Sequence, residues 1–315
     1  MLRIRIVFDS MPNAPFPILI YIMKNQKFFN GLFVGLVTLD LIYLAESPPK
    51  NNQKLVAEDY TVAAGGPVTY AAITFSYLGN NAKICSVLGC HPMTQLIKSD
   101  LANYQIEIID FNPTTKNPPP VSSIIVTKGT GERAVVSINA VKTQADSKTI
   151  SPDILQDIDI VLIDGHQMAL GCAIAQQAKA KNIPVVIDGG SWKPGFDRLL
   201  PFVDYAICSA NFYPPNCHTS EEVFAYLNHI GIPHIAITQG EQPIQYLSQN
   251  KINFLNVPKI HAADTLGAGD IFHGAFCHYV LQETFTTALE KSAKIAALSC
   301  EFFGTRRWME ESIKS

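Results

Sequence analysis

Near the C-terminus the chain reads Asp264-Thr265-Leu266-Gly267-Ala268-Gly269-Asp270-Ile271-Phe272-His273-Gly274-Ala275-Phe276: three small residues, an aspartate, then an apolar stretch long enough for a helix. Small residues let backbone approach a ligand and adopt φ/ψ values that side chains forbid. The first amides of a helix have no intrahelical acceptor, and the dipole there favours negative charge. Gly267, Ala268 and Gly269 therefore suit an anion such as phosphate. Asp270 repels such an anion, unless its carboxylate takes the proton from a nucleophile attacking it. That is the layout that phosphoryl transfer to an alcohol requires. The plainer explanation is a helix cap, since Asp and Thr are favoured before helices and glycines in turns. A bare Gly-x-Gly-Asp is more often a cap, but Asp264-Thr265 in front and Gly274-Ala275 one turn beyond make the full string more specific.

The elements that position this string follow from hydrophobic periodicity. Leu32 to Leu39 is a short apolar run that predicts one buried strand, with Leu41 to Ala45 continuing it. Val68 to Leu78 predicts a helix ending at Gly79, Lys83 to Leu88 a strand, Met93 to Asn103 a helix and Ile106 to Ile109 a strand. Val121 to Thr127 and Arg133 to Ile138 flank a hairpin turn. From Ile158 the pattern alternates. Strands are predicted at Ile158 to Ile163, Ile183 to Ile187, Tyr205 to Cys208 and His234 to Thr238, with helices at Ala169 to Lys181 and Glu221 to Ile230. The fold class is therefore α/β, a doubly wound, mostly parallel sheet with helices on both faces. The pieces around 41–64 and 121–138 form a small β-sheet lid. Ligands in such sheets bind beyond the carboxyl ends of the strands, where Asp40, Asp164, Asp188 and Thr238 are expected. Ile271 to Leu281 is apolar nearly all round and predicts a central buried helix. Ala288, Ser292, Ala296 and Cys300 form a small-residue stripe that packs against it.

With 315 residues, 47% of them hydrophobic, the chain can bury a sizeable core, and its net charge of −3 offers no basic footprint for nucleic acid. Seven cysteines without a CxxC pair point to reduced thiols in a cytoplasmic setting and not to a disulfide framework. No run spans a membrane. Residues 1–28 are expected to be a non-core extension, with Met23 as a candidate initiator, and a signal peptide is disfavoured because Asp9, Pro12, Pro15 and Pro17 break the apolar run.

The Asp264–Phe276 string resembles the C-terminal signature of the ribokinase-like (phosphofructokinase-B type) carbohydrate kinases. The resemblance covers roughly residues 30 to 308, and implies a single kinase domain over 29–308 with a tail at 309–315. It implies ATP-dependent phosphorylation of a sugar's hydroxymethyl group, with Asp270 as general base and the amides of Gly267, Ala268 and Gly269 as anion hole. Gly35 to Asp40 resembles the family's opening strand, whose aspartate binds substrate hydroxyls; a carboxylate accepts two such protons in fixed geometry. Gly65 and Gly66 resemble the Gly-Gly sugar-binding motif, with Tyr70 at its amide position. Arg133 resembles a lid arginine suited to an anionic group on the substrate, and Asp164 stands where an acidic residue often lies near it. On the nucleotide side the resemblance names Asn211, Thr238, Gly240 and Glu241. It also implies Mg2+ on the terminal phosphates, a monovalent cation such as K+ beside Asp264, and a homodimer through the lid.

Some positions depart from the family pattern. Pro67 and Tyr70 replace the polar residues after the glycines, Phe212 and Pro214 replace both glutamates of Asn-Glu-x-Glu, and Gly89-Cys90-His91 replaces Gly-x-Asp. Two competing readings are a nucleoside kinase on the same scaffold and a catalytically silent sugar or nucleotide sensor. An NAD-dependent oxidoreductase is disfavoured, because no GxGxxG follows a strand.

Overall fold

The computed structural model describes residues 28–140 and 143–311, and the expected N-terminal extension lies outside the described residues, save Phe28. In chain order the first half holds β1 (Asn30–Val34), β2 (Thr38–Ala45), β3 (Asp59–Gly65), α1 (Pro67–Tyr77), β4 (Asn81–Ser86), α2 (Pro92–Asn103), β5 (Glu107–Asp110), β6 (Val121–Thr127) and β7 (Arg133–Ser137). The second half holds β8 (Ile160–Ile163), α3 (Met168–Ala180), β9 (Val185–Gly189), α4 (Phe196–Leu199), β10 (Tyr205–Ser209), α5 (Ser220–Ile230), β11 (His234–Gln239), β12 (Gln242–Ser248) and β13 (Lys251–Leu255). The chain closes with α6 (Ala268–Val280), α7 (Phe285–Cys300) and α8 (Arg307–Glu311).

Nine strands form the main sheet in the order β13-β12-β11-β10-β9-β8-β1-β4-β5, and four form a second sheet in the order β3-β2-β6-β7. The seven strands from β11 to β5 pair parallel, while β12 and β13 add an antiparallel edge. Alternate strand residues face opposite layers, as the period of two requires. Phe33, Leu162, Val186 and Ile207 pack with α1, α6 and α7, whereas Val34, Ile163, Ile187 and Cys208 pack with α3 and α5. Each fully buried Phe or Leu in these layers contributes roughly 1.5–3 kcal/mol. Helix α6 is buried from Ile271 through His278. Gly274 lets it approach α1 so closely that a Cβ there would overlap the Ala71 carbonyl.

Three differences from the sequence reading bear on the site. The apolar run from Leu32 to Leu39 is two strands, because the chain leaves the main sheet at Gly35 and enters the lid at Thr38. Asp40 therefore belongs to the lid sheet, with Ala63 and Ser122 as neighbours in register, and not to the carboxyl end of a main-sheet strand. The β12–β13 hairpin was not anticipated; it is an edge whose residues are mostly half-buried, so its apolar alternation is weak. The core also runs past residue 308, since Met309 is buried beside Trp308.

Among the described residues no helix is long and apolar enough to cross a membrane, and all seven cysteines are free thiols.

Candidate active site

The strand order reverses direction between β1 and β8, the place where an open α/β sheet leaves a crevice. Asp164, directly after β8, bridges that split. Its carboxylate accepts the Leu36 amide at 2.8 Å and the His166 amide at 2.8 Å. Burial pushes its carboxyl up, opposed by His166, the Leu36 amide and Lys193. Asp164 thus holds the two strand ends together with both oxygens. Lys193 donates to the Asp164 carbonyl at 3.2 Å.

The Gly267–Asp270 string forms the N-terminal turn of α6. Gly267 is the N-cap at φ 70°, a left-handed conformation that Cβ-bearing residues rarely adopt. The closing bonds are Ala268 N–H to Thr265 C=O at 3.4 Å and Ile271 N–H to Gly267 C=O at 2.8 Å. The amides of Gly269 and Asp270 lie ahead of the first full helical bond. Gly269 is exposed, with open space where a Cβ would stand.

Asp270 is half-buried on this turn. Burial is the first cause that drives its carboxyl well above the usual carboxylate range; the Asp188 charge adds to it, Arg133 opposes it, and Asp164 and Asp40 add more. A carboxyl surrounded by three others while staying near solvent is poised to take up a proton.

The loop before α6 is tied down from several sides. Asp264 is buried, and its carboxylate accepts the Leu266 amide at 2.8 Å and the Gly304 amide at 2.9 Å. Burial raises its carboxyl, with those two amides and Arg133 acting in opposition. Thr265 donates its amide (3.1 Å) and its hydroxyl (2.9 Å) to the Gly131 carbonyl of the lid hairpin. Arg133, at the start of β7, donates to the Thr265 carbonyl at 2.8 Å and to its hydroxyl at 3.2 Å. The lid is therefore clamped onto the anion loop by its own arginine.

Across the cleft, Asp40 is buried on β2 with both oxygens engaged. Thr38 Oγ1 donates to Oδ1 at 2.5 Å, and the Tyr70 hydroxyl donates to Oδ2. Gly65 lies so close that a Cβ there would overlap this carboxylate, and Gly66, at φ 94°, caps α1. Tyr70, in the first turn of α1, brings its ring against Gly267. The structure thus brings Asp40, Gly65, Gly66, Tyr70, Asp264, Gly267 and Asp270 into one neighbourhood, with Arg133 of the lid bonded to Thr265 beside them.

The residues that the resemblance assigns to the nucleotide lie at the ends of β10 and β11. The Asn211 amide donates to Ser209 Oγ at 3.1 Å, and Thr238 Oγ1 donates to the Cys208 carbonyl at 3.4 Å. Gly240, at φ 61°, makes the tight turn into β12, with exposed Glu241 beside it. Phe212 fills the core between Trp192 and Phe196, with ring centroids at 5.5 and 5.2 Å, so an aromatic contact stands where the resemblance expects a carboxylate. His91 serves α2, its Nδ1 accepting the Met93 amide at 3.2 Å. A cavity of about 170 Å³ lined by Ser209, Phe212, Tyr213, Val223, Ile237 and Gln239 opens on the α5 side of the sheet, opposite α6, and contains neither Asp270 nor its amides.

Two more residues belong to this environment, Asp188, expected only as a strand-end acid without an assigned role, and His273, not anticipated at all. Asp188, at the end of β9, is the strongest charge acting on Asp270. His273, one turn into α6, lies 2.7 Å from the Gly269 carbonyl and 3.1 Å from the Ile207 carbonyl of β10, pinning the turn to the sheet. Its Nδ1 is also 3.8 Å from Asp188. The strand-end position of Asp188 was a usable signal, whereas nothing in the spacing of His273 marks it.

Comparison with known proteins gives the family and the fold. The pfkB family carbohydrate kinase profile matches residues 31–312. The deoxyribokinase of Salmonella typhi is 23% identical over 297 residues, covering 87% of this chain and 93% of its own length. The Arabidopsis thaliana ribokinase structure, complexed with ribose and ATP, superposes with a TM-score of 0.74 at 19% identity, covering 91% of this chain and 98% of that one. The E. coli structure designated Ribokinase II, in complex with ATP and Mg2+, gives a TM-score of 0.73 at 18% identity, with 91% and 99% covered. Matched along nearly its whole folded length by that profile, the chain belongs to the pfkB family of carbohydrate kinases.

Proposed function

We propose that this chain transfers the terminal phosphoryl group of ATP to a hydroxymethyl group of a sugar. The observation that carries the reading is Asp270, a carboxyl of raised proton affinity on the N-terminal turn of α6, whose Gly269 and Asp270 amides precede the first full helical bond. In this reading Asp270 accepts the hydroxyl proton as the oxygen–phosphorus bond forms, and the amides of Gly267, Ala268 and Gly269 bear the charge growing on the phosphoryl oxygens. Asp40, Gly65, Gly66, Tyr70 and Arg133 form the acceptor side, and Asp164 keeps the cleft floor in shape. Asn211, Thr238, Gly240 and Glu241 border the nucleotide.

Among the described residues no three His, Cys, Asp or Glu side chains converge as metal ligands. Mg2+ commonly keeps several waters and binds through substrate phosphates with one or two carboxylates, a role that Asp188 fits. When bound it neutralises phosphate charge. Each Asp264 oxygen accepts one amide and keeps a further lone pair, so that side chain can also hold a monovalent cation such as K+.

The lid carries exposed apolar side chains, with Tyr60 at 67%, Val136 at 77% and Val62 at 44% exposure. A patch of this kind favours pairing of two lids in a homodimer. The free thiols suit a cytoplasmic setting. An ADP-release assay across a sugar panel tests the activity: turnover that disappears in Asp270→Asn supports the reading, and undiminished turnover in that variant removes it.

A further inference from the structure

We infer that His273 is a positioning residue for the anion-binding turn: its Nδ1–H holds the carbonyl of the Gly269–Asp270 peptide, and through that peptide it orients and strengthens the Asp270 N–H as a donor. The inference deepens the kinase reading, on which it rests for the identity of the group that this amide meets.

The contact is settled by which atoms can donate. His273 lies one turn after Gly269 on α6 and is only 4% exposed. Its Nδ1 is 2.7 Å from the Gly269 carbonyl oxygen. A carbonyl oxygen only accepts, so a separation this short requires a proton on Nδ1. Asp188 Oδ2 stands 3.8 Å from the same nitrogen, beyond hydrogen-bond range, so that proton is directed at the carbonyl. Nε2 lies 3.1 Å from the Ile207 carbonyl, which anchors the far side of the ring to β10. A histidine in the otherwise apolar, buried run from Ile271 to Phe276 is costly unless its nitrogens are engaged, and both are.

The effect on the turn follows from peptide chemistry. The Gly269 carbonyl also accepts the helix bond from the His273 amide, so both of its lone pairs are in use. It shares one planar group with the Asp270 N–H. Hydrogen bonds at the oxygen end of a peptide polarise it, and linked bonds reinforce one another by roughly 10–30% each, so the Asp270 N–H becomes the better donor. That N–H precedes the first full helical bond and is free to meet an anion. Gly269, exposed and with open space where a Cβ would stand, does little to fix this peptide plane itself. Glycine provides the close approach, and His273 restores the rigidity that glycine lacks.

The test separates the two ring nitrogens. Asparagine Nδ2 falls where histidine Nδ1 does, and glutamine Nε2 falls where histidine Nε2 does. His273→Asn therefore keeps a donor for Gly269, His273→Gln keeps one for Ile207, His273→Leu keeps neither, and all three lose the ring alike. One anion-hole donor is worth about 10²–10³ in kcat, so losing its support is expected to cost about fivefold or more. His273→Leu and His273→Gln should show that loss with sugar KM within about twofold of wild type, and His273→Asn should recover kcat to within about twofold. A second readout needs no turnover. In the full chain carrying isotope-labelled aspartate, the Asp270 amide resonance of His273→Asn should stay near the wild-type position, while those of His273→Gln and His273→Leu move away together. A merely structural pin gives another order, because glutamine keeps the tie to β10. A glutamine variant as active as the asparagine one, undiminished kcat in His273→Leu, or an Asp270 resonance alike in His273→Asn and His273→Leu overturns the inference. If the leucine variant fails to fold, the asparagine–glutamine comparison decides. A wild type that turns over no sugar defeats the kinase reading, and the amide resonances then decide this inference alone. Turnover that glutamine preserves as well as asparagine leaves the kinase reading standing and removes the role of His273.

Discussion

The two walls of the cleft are built on opposite rules. At the N-terminal turn of α6 the chemistry is carried by main chain left open: Gly267 caps in a left-handed conformation, Gly269 is exposed, and the first amides precede the helical bonds. At the Asp40 corner side chains engage both carboxylate oxygens, through Thr38 and Tyr70, and Arg306 lies over the ring. In the proposed reading the open wall holds the phosphoryl group, which is the same whatever the acceptor, and the closed wall faces the acceptor, whose shape varies.

The sharpest way to break this contrast is Asp270→Asn. Turnover is expected to fall by about 10²–10⁴-fold while ATP binding, followed by calorimetry, is retained. The pH profile sharpens the same point. Because burial and Asp188 raise the Asp270 carboxyl, kcat/KM should fall off on the acid side at a pH above the ordinary carboxylate range, as the base becomes protonated. Stability moves the other way. The native state still holds a proton that the unfolded chain has released, so stability declines as pH rises from the ordinary carboxylate range through the raised value. Thermal melts across that window should show the decline, and Asp270→Asn should flatten it.

Arg306→Ala attacks the closed wall instead. It removes the donor to the Ala64 carbonyl and one of the two donors to Asp100, which keeps the Ala64 amide, and it uncovers the Tyr70 ring, for a loss of about 1–3 kcal/mol in denaturant unfolding. Gly267→Ala tests where the walls meet. A non-glycine residue at φ 70° costs about 1–2 kcal/mol, and its Cβ would press on Tyr70, so melting temperature and turnover should fall together. Lys294→Ala removes an exposed 2.8 Å pair with Glu290, remote from both walls. It should shift stability by only about 0.3–0.5 kcal/mol in denaturant unfolding and leave kinetics unchanged.

Much of the frame was legible because it depends on local pattern. The apolar, small-residue character of Ile271 to Leu281 announced a buried helix, and the strand–helix alternation after Ile158 announced the parallel sheet; both are present. The split between β1 and β2 was not legible, since Leu32 to Leu39 is continuously apolar while Gly35 to Val37 carry the chain from one sheet to another. The sequence marked Asp164 as a strand-end acid, but its engagement with the Leu36 amide depends on where β1 ends in space. His273 was equally hidden, because its partners are a carbonyl one turn back and another on β10.

The amino-acid sequence by itself determined the kind of helix start at Gly267, the burial of α6 and the presence of a carboxylate at its first turn, since these follow from residue type and spacing within a few positions. Only the tertiary structure decided that the Tyr70 phenol closes onto Asp40, that Arg133 clamps the lid to Thr265, and that Asp188 presses on Asp270. Those outcomes join residues 30 to 132 positions apart in the chain, and hydrogen bonds and charge interactions depend on distance in space, which no local pattern encodes.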